Sequence, residues 1–256
     1  MKISIRNLTQ SFPLSRSKSL LVLAGLDLQI EEGSFTVILG ESGCGKSTVL
    51  NLVAGLLPPT SGEILIDGMP VNGPSPERSI LFQQPSLLPW LTVAENIAFG
   101  CRLRGELDDL ADRVDAMIRM IGLVGFEDRH PAELSVGMAQ RVCLARALIG
   151  KPKALLLDEP FGALDICNRI RLQNELLSIW QRERFTAILV THDIDEALVV
   201  GRQVVVLGGR PATILSQHTV SLPYPRDIAT PLFFETRSEI LAELRAATIG
   251  CNAGGI

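Results

Sequence analysis

The sequence predicts an α/β fold, in which short apolar strands alternate with helices and stop at residues able to do chemistry. Three stretches carry that expectation. Phe35–Leu39 is an apolar run followed at once by Gly40-Glu41-Ser42-Gly43-Cys44-Gly45-Lys46-Ser47-Thr48, after which Val49–Ala54 reads as a helix. Ala154–Leu157 is a second apolar run, and it stops at Asp158-Glu159. Thr186–Val190 is a third, and it stops at Thr191-His192-Asp193. In open α/β sheets ligands gather beyond the carboxyl ends of the strands, so these endings are the expected place for a site.

Residues 40–48 fit a phosphate-binding loop: Gly, four residues, then Gly-Lys-Ser/Thr, between a strand and a helix. The chemistry follows from the residue types. Gly43 and Gly45 let the backbone turn so that successive N–H groups face an anion. Lys46 brings a full positive charge to the terminal phosphates. The Ser47 hydroxyl is a hard oxygen suited to Mg2+, and the helix that follows points its positive end at the same place. The loop implies nucleotide binding and leaves open what the nucleotide drives.

Bulk properties narrow the field. The chain has 256 residues, 46% hydrophobic and 20% charged, enough for a sizeable core. A net charge of −4 argues against nucleic acid as a partner. Five cysteines and three histidines are scattered, with no C-x-x-C pair, so neither a disulfide framework nor a zinc site is expected and a reducing compartment fits. The start, Met1–Leu8, alternates polar and apolar residues like a strand, not a signal peptide. No apolar run approaches the roughly 18 residues that a membrane span needs.

Taken in order, Ile3–Leu8, Ala24–Ile30 and Ser34–Leu39 are expected strands, with Ser15–Ser19 a solvated loop. Phe12, between the first strand and that loop, reads as core. Glu63–Ile66 is a short strand before an Asp67-Gly68 hairpin turn, and Ser79–Phe82 is a strand ending at Gln83. Thr92 caps a helix through Ala94–Phe99, with Glu95 in its first turn. Asp108–Ile121 is amphipathic, with Leu110, Val114, Met117, Ile118 and Ile121 on one face. Ser135–Leu148 is a further helix, with Val136, Ala139, Val142, Cys143 and Ala147 on one side. Residues 100–150 thus form a helical insertion. The α/β alternation resumes with the strand Ala154–Leu157. A long helix over Ile166–Arg184 carries Ile170, Gln173, Leu176, Leu177 and Trp180 in a stripe. After Thr186–Val190, Asp193 or Thr191 caps Glu196–Val200, and Val204–Leu207 with Ala212–Leu215 finish the sheet. The tail from 221 runs extended to a last helix near Ser238–Ala246.

Two adjacent carboxylates at the end of a buried strand complement a phosphate loop. Asp158 suits Mg2+ through its water shell, and Glu159 suits a general base that polarises water. His192 and Gln83 also end strands, which places them toward the γ-phosphate and toward the Mg2+ and water. Ser135 and Gly137, at a helix start, form either an ordinary cap or a second anion site.

The set comprises the loop at 40–48, Gln83, Leu-Ser-x-Gly at 134–137, Leu-Leu-Leu-Asp-Glu-Pro at 155–160, Gly-Ala-Leu-Asp at 162–165 and Thr-His-Asp at 191–193. In this order it resembles the ATP-binding subunit of an ABC transporter, over about residues 3–230. The resemblance implies a phosphate-loop NTPase with a RecA-like core, an antiparallel β subdomain and an inserted α-helical signature subdomain. As domains it implies one ATPase domain over 1–220, its helical part at about 88–150, and a tail at 221–256. It implies ATP and Mg2+ as cofactors. Residues 40–48 would hold the phosphates, Phe12 would stack on adenine instead of lying in the core, and Ser47, Gln83 and Asp158 would serve Mg2+. Glu159 would be the base, Gln83 the lid-loop glutamine and His192 the γ-phosphate switch. Ser135 and Gly137 would grip, in trans, the ATP of a second copy, with Asp165 at the seam. The implied partners are a second copy on ATP binding, integral membrane permease subunits and, indirectly, a solute-binding protein. The implied location is the cytoplasmic face of the membrane.

Within the family, Leu87–Asn96, Asp158–Asp165 and Leu222-Pro-Tyr-Pro-Arg226 resemble importers for nitrate, aliphatic sulfonates and taurine, with pyrimidine-precursor importers similar. The usual signature is Leu-Ser-Gly-Gly-Gln, and this chain carries Val136 and Met138 instead. A β-branched residue disfavours positive φ, so an altered loop is expected at 136. Leu87–Trp90 is a candidate permease contact, although Trp90 suits core packing equally. The rival readings are a soluble ABC-type ATPase uncoupled from transport, a small-molecule kinase or GTPase, and a non-enzymatic binding module. The first usually carries a second cassette or a coiled coil. The second has no use for Leu-Ser-x-Gly, Gly-Ala-Leu-Asp and His192 together, and the third none for Glu159.

Overall fold

The computed structural model describes residues 1–15, 18–162 and 164–253, and the chain divides into two units, Met1–Ser75 with Phe185–Ile256, and Pro76–Arg184. In chain order, the first unit begins with β1 (Ile3–Ser15), β2 (Lys18–Ile30), β3 (Phe35–Leu39), α1 (Lys46–Ala54), β4 (Ser61–Ile66) and β5 (Met69–Pro70). The second unit holds β6 (Arg78–Leu81), α2 (Val93–Arg104), α3 (Leu110–Met120), α4 (Val136–Leu148), β7 (Ala154–Asp158) and α5 (Ile166–Glu183). The chain then completes the first unit with β8 (Thr186–Thr191), α6 (Ile194–Val200), β9 (Gln203–Gly208), β10 (Thr213–Thr219) and α7 (Pro231–Ala253).

In the first unit one sheet is antiparallel, in the order β2-β1-β4-β5. β1 buries Ile3, Ile5 and Leu8 and turns polar residues out, the alternation of a half-buried strand. The β1–β2 hairpin runs further than the sequence suggested, with Phe12 opposite Leu20. Its outer half has lost the alternation, and Leu14 and Leu20 are exposed, so nothing in the pattern marked it as strand. Residues 16 and 17, the middle of the expected polar loop, lie outside the described residues. The Asp67-Gly68 turn has φ of 50° and 82°, which fits the primed hairpin turn expected of Asp-Gly.

The other strands of this unit run in the order β10-β9-β3-β8. β3 and β8 are buried at every position, and this is why they read as unbroken apolar runs. They pair in parallel, with Leu39 opposite Thr191, so that Gly40 and His192 leave neighbouring strands at the same level.

In the second unit β6 and β7 are parallel, with Leu81 opposite Leu157. Helices α2, α3 and α4 enclose a core that includes Val93, Ile97, Leu110, Val114, Ile118 and Val142. Thr92 and Glu95 form a reciprocal capping box at the head of α2, as the spacing predicts. Two expected stripes need correction. Ile170 is exposed on α5, and Val136 is exposed at the head of α4 instead of lying on its buried side. In the first unit, α7 starts at Pro231, ahead of the expected Ser238. Thr230 before a proline at the first helical position is a start signal that the sequence reading passed over.

Candidate functional site

The candidate residues fall into two groups, one in each unit. In the first unit the loop after β3 wraps the start of α1. Gly43 has φ 79° and Gly45, the N-cap of α1, has φ 108°, so both glycines hold conformations that side chains disfavour. Gly45 is doubly constrained, since a Cβ there would stand 2.8 Å from Leu23 Cδ2. A Cβ at Gly40 would stand 2.7 Å from the Leu207 carbonyl oxygen, so the backbone of β9 closes that side.

Lys46 is buried, and a buried ammonium needs partners. Its Nζ donates to the carbonyls of Gly40 and Glu41 at 2.8 and 2.9 Å, drawing the loop into a ring around its own cation. Cys44 is buried in the same loop. Burial pushes its thiol up from the ordinary range, and the nearby Lys46 charge offsets only part of that. The Gly40 N–H donates to the Thr191 carbonyl at 3.3 Å, tying the loop to the end of β8, and His192 follows as an exposed residue. Phe12 is half-buried in β1, which removes it from the core that its residue type alone suggested.

In the second unit Asp158 is the last residue of β7 and Glu159 the first beyond it, both half-buried. Glu159 holds φ 44°, unusual for a residue with a side chain. Its carbonyl accepts from the Gly162 N–H at 3.3 Å, so a tight turn fixes the carboxylate just past the strand. Gln83 Nε2 donates to Glu159 Oε2 at 3.1 Å. The structure thus brings these two predicted residues together, 76 positions apart in sequence.

Ser135 caps α4 by accepting from the Met138 N–H at 3.2 Å. Val136 and Gly137 are the first helical residues, and neither is among the described residues with positive φ. The expected distortion at Val136 is therefore absent, because a helical position makes no demand for positive φ. Met138 packs on the helical core. Asp165 caps α5, accepting from the Asn168 N–H at 3.0 Å, and that bond with the Asn168 side chain holds its carboxyl below the usual range. Trp90 is 70% exposed, so the core-packing alternative does not hold.

Two residues that the sequence reading gave no role join α4 to the stretch around Gln83. Gln140 Nε2 reaches the Phe82 carbonyl at 3.5 Å, and Arg146 Nη2 donates to Ser86 Oγ at 2.8 Å. A glutamine at a buried helix position was the available signal. Ser47 in the first unit, and Gln83 and Asp158 in the second, each carry a hard oxygen of the kind that Mg2+ takes.

Comparison with known proteins adds three findings. Residues 23–162 match the ABC transporter family. The chain is 43% identical over 246 residues to an uncharacterized ABC transporter ATP-binding protein of Methanocaldococcus jannaschii, covering 96% of this chain and 92% of that one. It is 42% identical to an aliphatic sulfonates import ATP-binding protein of Bacillus cereus, covering 95% and 96%. It is 43% identical to a bicarbonate transport ATP-binding protein of Synechococcus elongatus, covering 93% of this chain and 37% of that longer one. Among solved structures it is similar to a dimeric ATP-binding cassette in a post-hydrolysis state with ADP and Pi, with a TM-score of 0.77 at 29% identity over 85% of this chain and 98% of that one.

Proposed function

Because the chain belongs to the ABC transporter family, as an ATP-hydrolysing subunit of the nitrate and sulfonate importer branch, we propose that it couples ATP hydrolysis to uptake of a small solute through a partner permease. A small oxyanion such as a sulfonate or bicarbonate is the solute class that the relatives' names support. The proposal places the subunit peripherally, on the cytoplasmic face of the membrane, with the solute-binding protein acting indirectly through the permease.

In this reading Lys46 and the N–H groups of the loop bind the triphosphate, and the Ser47 hydroxyl, Gln83 and, through water, Asp158 would hold Mg2+. When bound, Mg2+ neutralises charge on the phosphate oxygens. Glu159 accepts the proton of the attacking water, and Gln83 orients that carboxylate. His192 contacts the γ-phosphate. Ser135 and Gly137 grip the ATP held by a second copy, so the triphosphate keeps the dimer seam shut and hydrolysis releases it. Asp165 lies at that seam, and Phe12 stacks on the adenine. Leu87–Trp90 meets the permease, a role that suits an exposed tryptophan a few residues beyond Gln83.

The observation that carries this reading is Glu159, set past a buried strand with φ 44° and bonded to Gln83. Backbone strain of this kind gathers at functional sites. The test is Glu159→Gln. It should keep ATP affinity, abolish steady turnover and accumulate an ATP-bound dimer; hydrolysis at the wild-type rate would remove Glu159 as the base. Extraction from native membranes in mild detergent should recover an integral permease with the chain, and repeated recovery of the chain alone would sink the coupling.

A further inference from the structure

The motif Leu222-Pro-Tyr-Pro-Arg226 has no part in the chemistry above, yet it sits on the helix that follows His192. That helix, α6, has seven residues, too few to hold itself in water. Its last four carbonyls, at 197–200, lack partners within the helix. The Gly201 N–H serves Ala197. The tail serves two of the others and the Gly201 carbonyl just beyond the helix. Tyr224 Oη donates to the Val200 carbonyl at 2.7 Å, and Arg226 Nη1 donates to the Leu198 and Gly201 carbonyls, each at 2.5 Å. Leu198 and Val200 are fully buried, so water is a poor substitute for these donors.

The rest of the Arg226 fork ties the strap to itself. Nη2 donates to the Val220 carbonyl and Nε to the Leu222 carbonyl, both at 3.2 Å, and the guanidinium lies 4.3 Å from the centre of the Tyr224 ring. Its charge stands at the carbonyl end of α6, where a cation is favoured. A planar fork can serve several carbonyls at once; a lysine ammonium in that place cannot span them.

The other end of α6 is also held. Asp193 caps it, Thr191 Oγ1 donates to Glu196 Oε2 at 2.7 Å, and Arg237 of α7 pairs with Asp195 at 2.6 Å. Thr191 is also the residue whose carbonyl receives the Gly40 N–H. His192 therefore stands between a strand end tied to the phosphate loop and a helix whose far end is clamped by the tail.

The geometry points to Arg226 as a positioning residue for ATP hydrolysis: through the carbonyls of α6 it fixes the helix that aims His192. This rests on His192 contacting the γ-phosphate, and the experiment separates the two. We would measure kcat, KM, affinity for a non-hydrolysable ATP analogue and amide exchange of residues 194–201 in Arg226→Met, Arg226→Lys and Tyr224→Phe, with His192→Ala beside them. Arg226→Met should lower kcat at least tenfold, leave KM and analogue affinity within twofold, and speed exchange across α6 at least tenfold. Arg226→Lys should restore part of the rate and part of the protection together, and Tyr224→Phe should shift both less. Faster exchange with unchanged kcat would overturn the proposal, since the strap would then be merely structural. Loss of rate, affinity and melting temperature together would overturn it also. If Arg226→Met does not fold, the lysine and phenylalanine variants carry the same comparison. Normal hydrolysis by His192→Ala would instead overturn the reading of His192, whatever the tail variants do.

Discussion

Gly137→Ala separates packing from function at the head of α4. A Cβ at 137 would stand 2.9 Å from Leu164 Cδ2. That atom is the tip of a flexible side chain, so Leu164 can turn off its rotamer at a cost of about 0.5–1.5 kcal/mol. Against this, alanine in place of a helical glycine returns up to about 1 kcal/mol. The two terms nearly cancel, so stability should change by less than about 1 kcal/mol and Tm by no more than about 4 °C. Turnover should behave differently. If the 137 N–H meets a phosphate held by a second copy, an intervening methyl forfeits a hydrogen bond to a charged group, about 1.5–3 kcal/mol. That is a loss of about 10- to 150-fold. The assay is steady-state ATPase activity at saturating ATP beside thermal denaturation of the same preparation. Turnover within twofold of wild type at an unchanged Tm would refute the placement of Gly137 against the nucleotide. A drop in Tm well beyond about 8 °C would refute the packing arithmetic instead.

Three further outcomes are expected. Gly45→Ala must hold φ 108° and press on Leu23, a strain of about 1–3 kcal/mol; titration with a fluorescent nucleotide should show ATP affinity reduced, and an unchanged Kd would mean the loop is not constrained as described. Trp90→Ser, at a side chain 70% exposed, should leave stability within about 0.5 kcal/mol while permease recovery in mild detergent is lost, and undiminished recovery would clear that patch of docking. Burial pushes the Glu243 carboxyl up, but hydrogen bonds from Ser216 and His218 overrule it and hold the group below its ordinary 4.5. A depressed folded pKa gives a contribution present above about 4.5 and lost as pH falls through the lower folded value. Amide protection in β10 and the facing turn of α7 should therefore weaken below that pH, and Glu243→Gln should show no such step; identical profiles would refute it.

What the sequence disclosed of the fold follows from where burial is complete. β3, β7 and β8 are apolar almost throughout because both faces are covered, and such runs need no partner to be recognised. The outer half of the β1–β2 hairpin is paired through its backbone, with exposed leucines on no regular period, so the pattern ended where burial ended. Ile170 shows the converse. Helical spacing placed it in a stripe, but spacing fixes only which residues share a face and not how far the neighbouring surface extends.

The candidate site divides in the same way. Strand-end residues were legible because the chain encodes them locally, as an apolar run and then Asp158-Glu159 or Thr191-His192. The positive φ of Glu159 had no cue, since nothing about a glutamate announces that conformation. Val136 was misjudged because a rule for positive φ was applied to what is the first turn of a helix. There a β-branched, exposed residue meets neither a steric limit nor a packing demand, and the limit falls one residue later, where Leu164 leaves little room beside Gly137. The role of Arg226, noted only as the last residue of a family-like motif, was illegible for another reason. Its partners are four main-chain carbonyls, and every residue has one, so no choice of residue type at 198, 201, 220 or 222 could mark them. Side chains that recognise backbone leave their signal only in their own identity, so the motif Leu222-Pro-Tyr-Pro-Arg226 marks a family likeness and discloses no task until the helix that Arg226 clamps is seen.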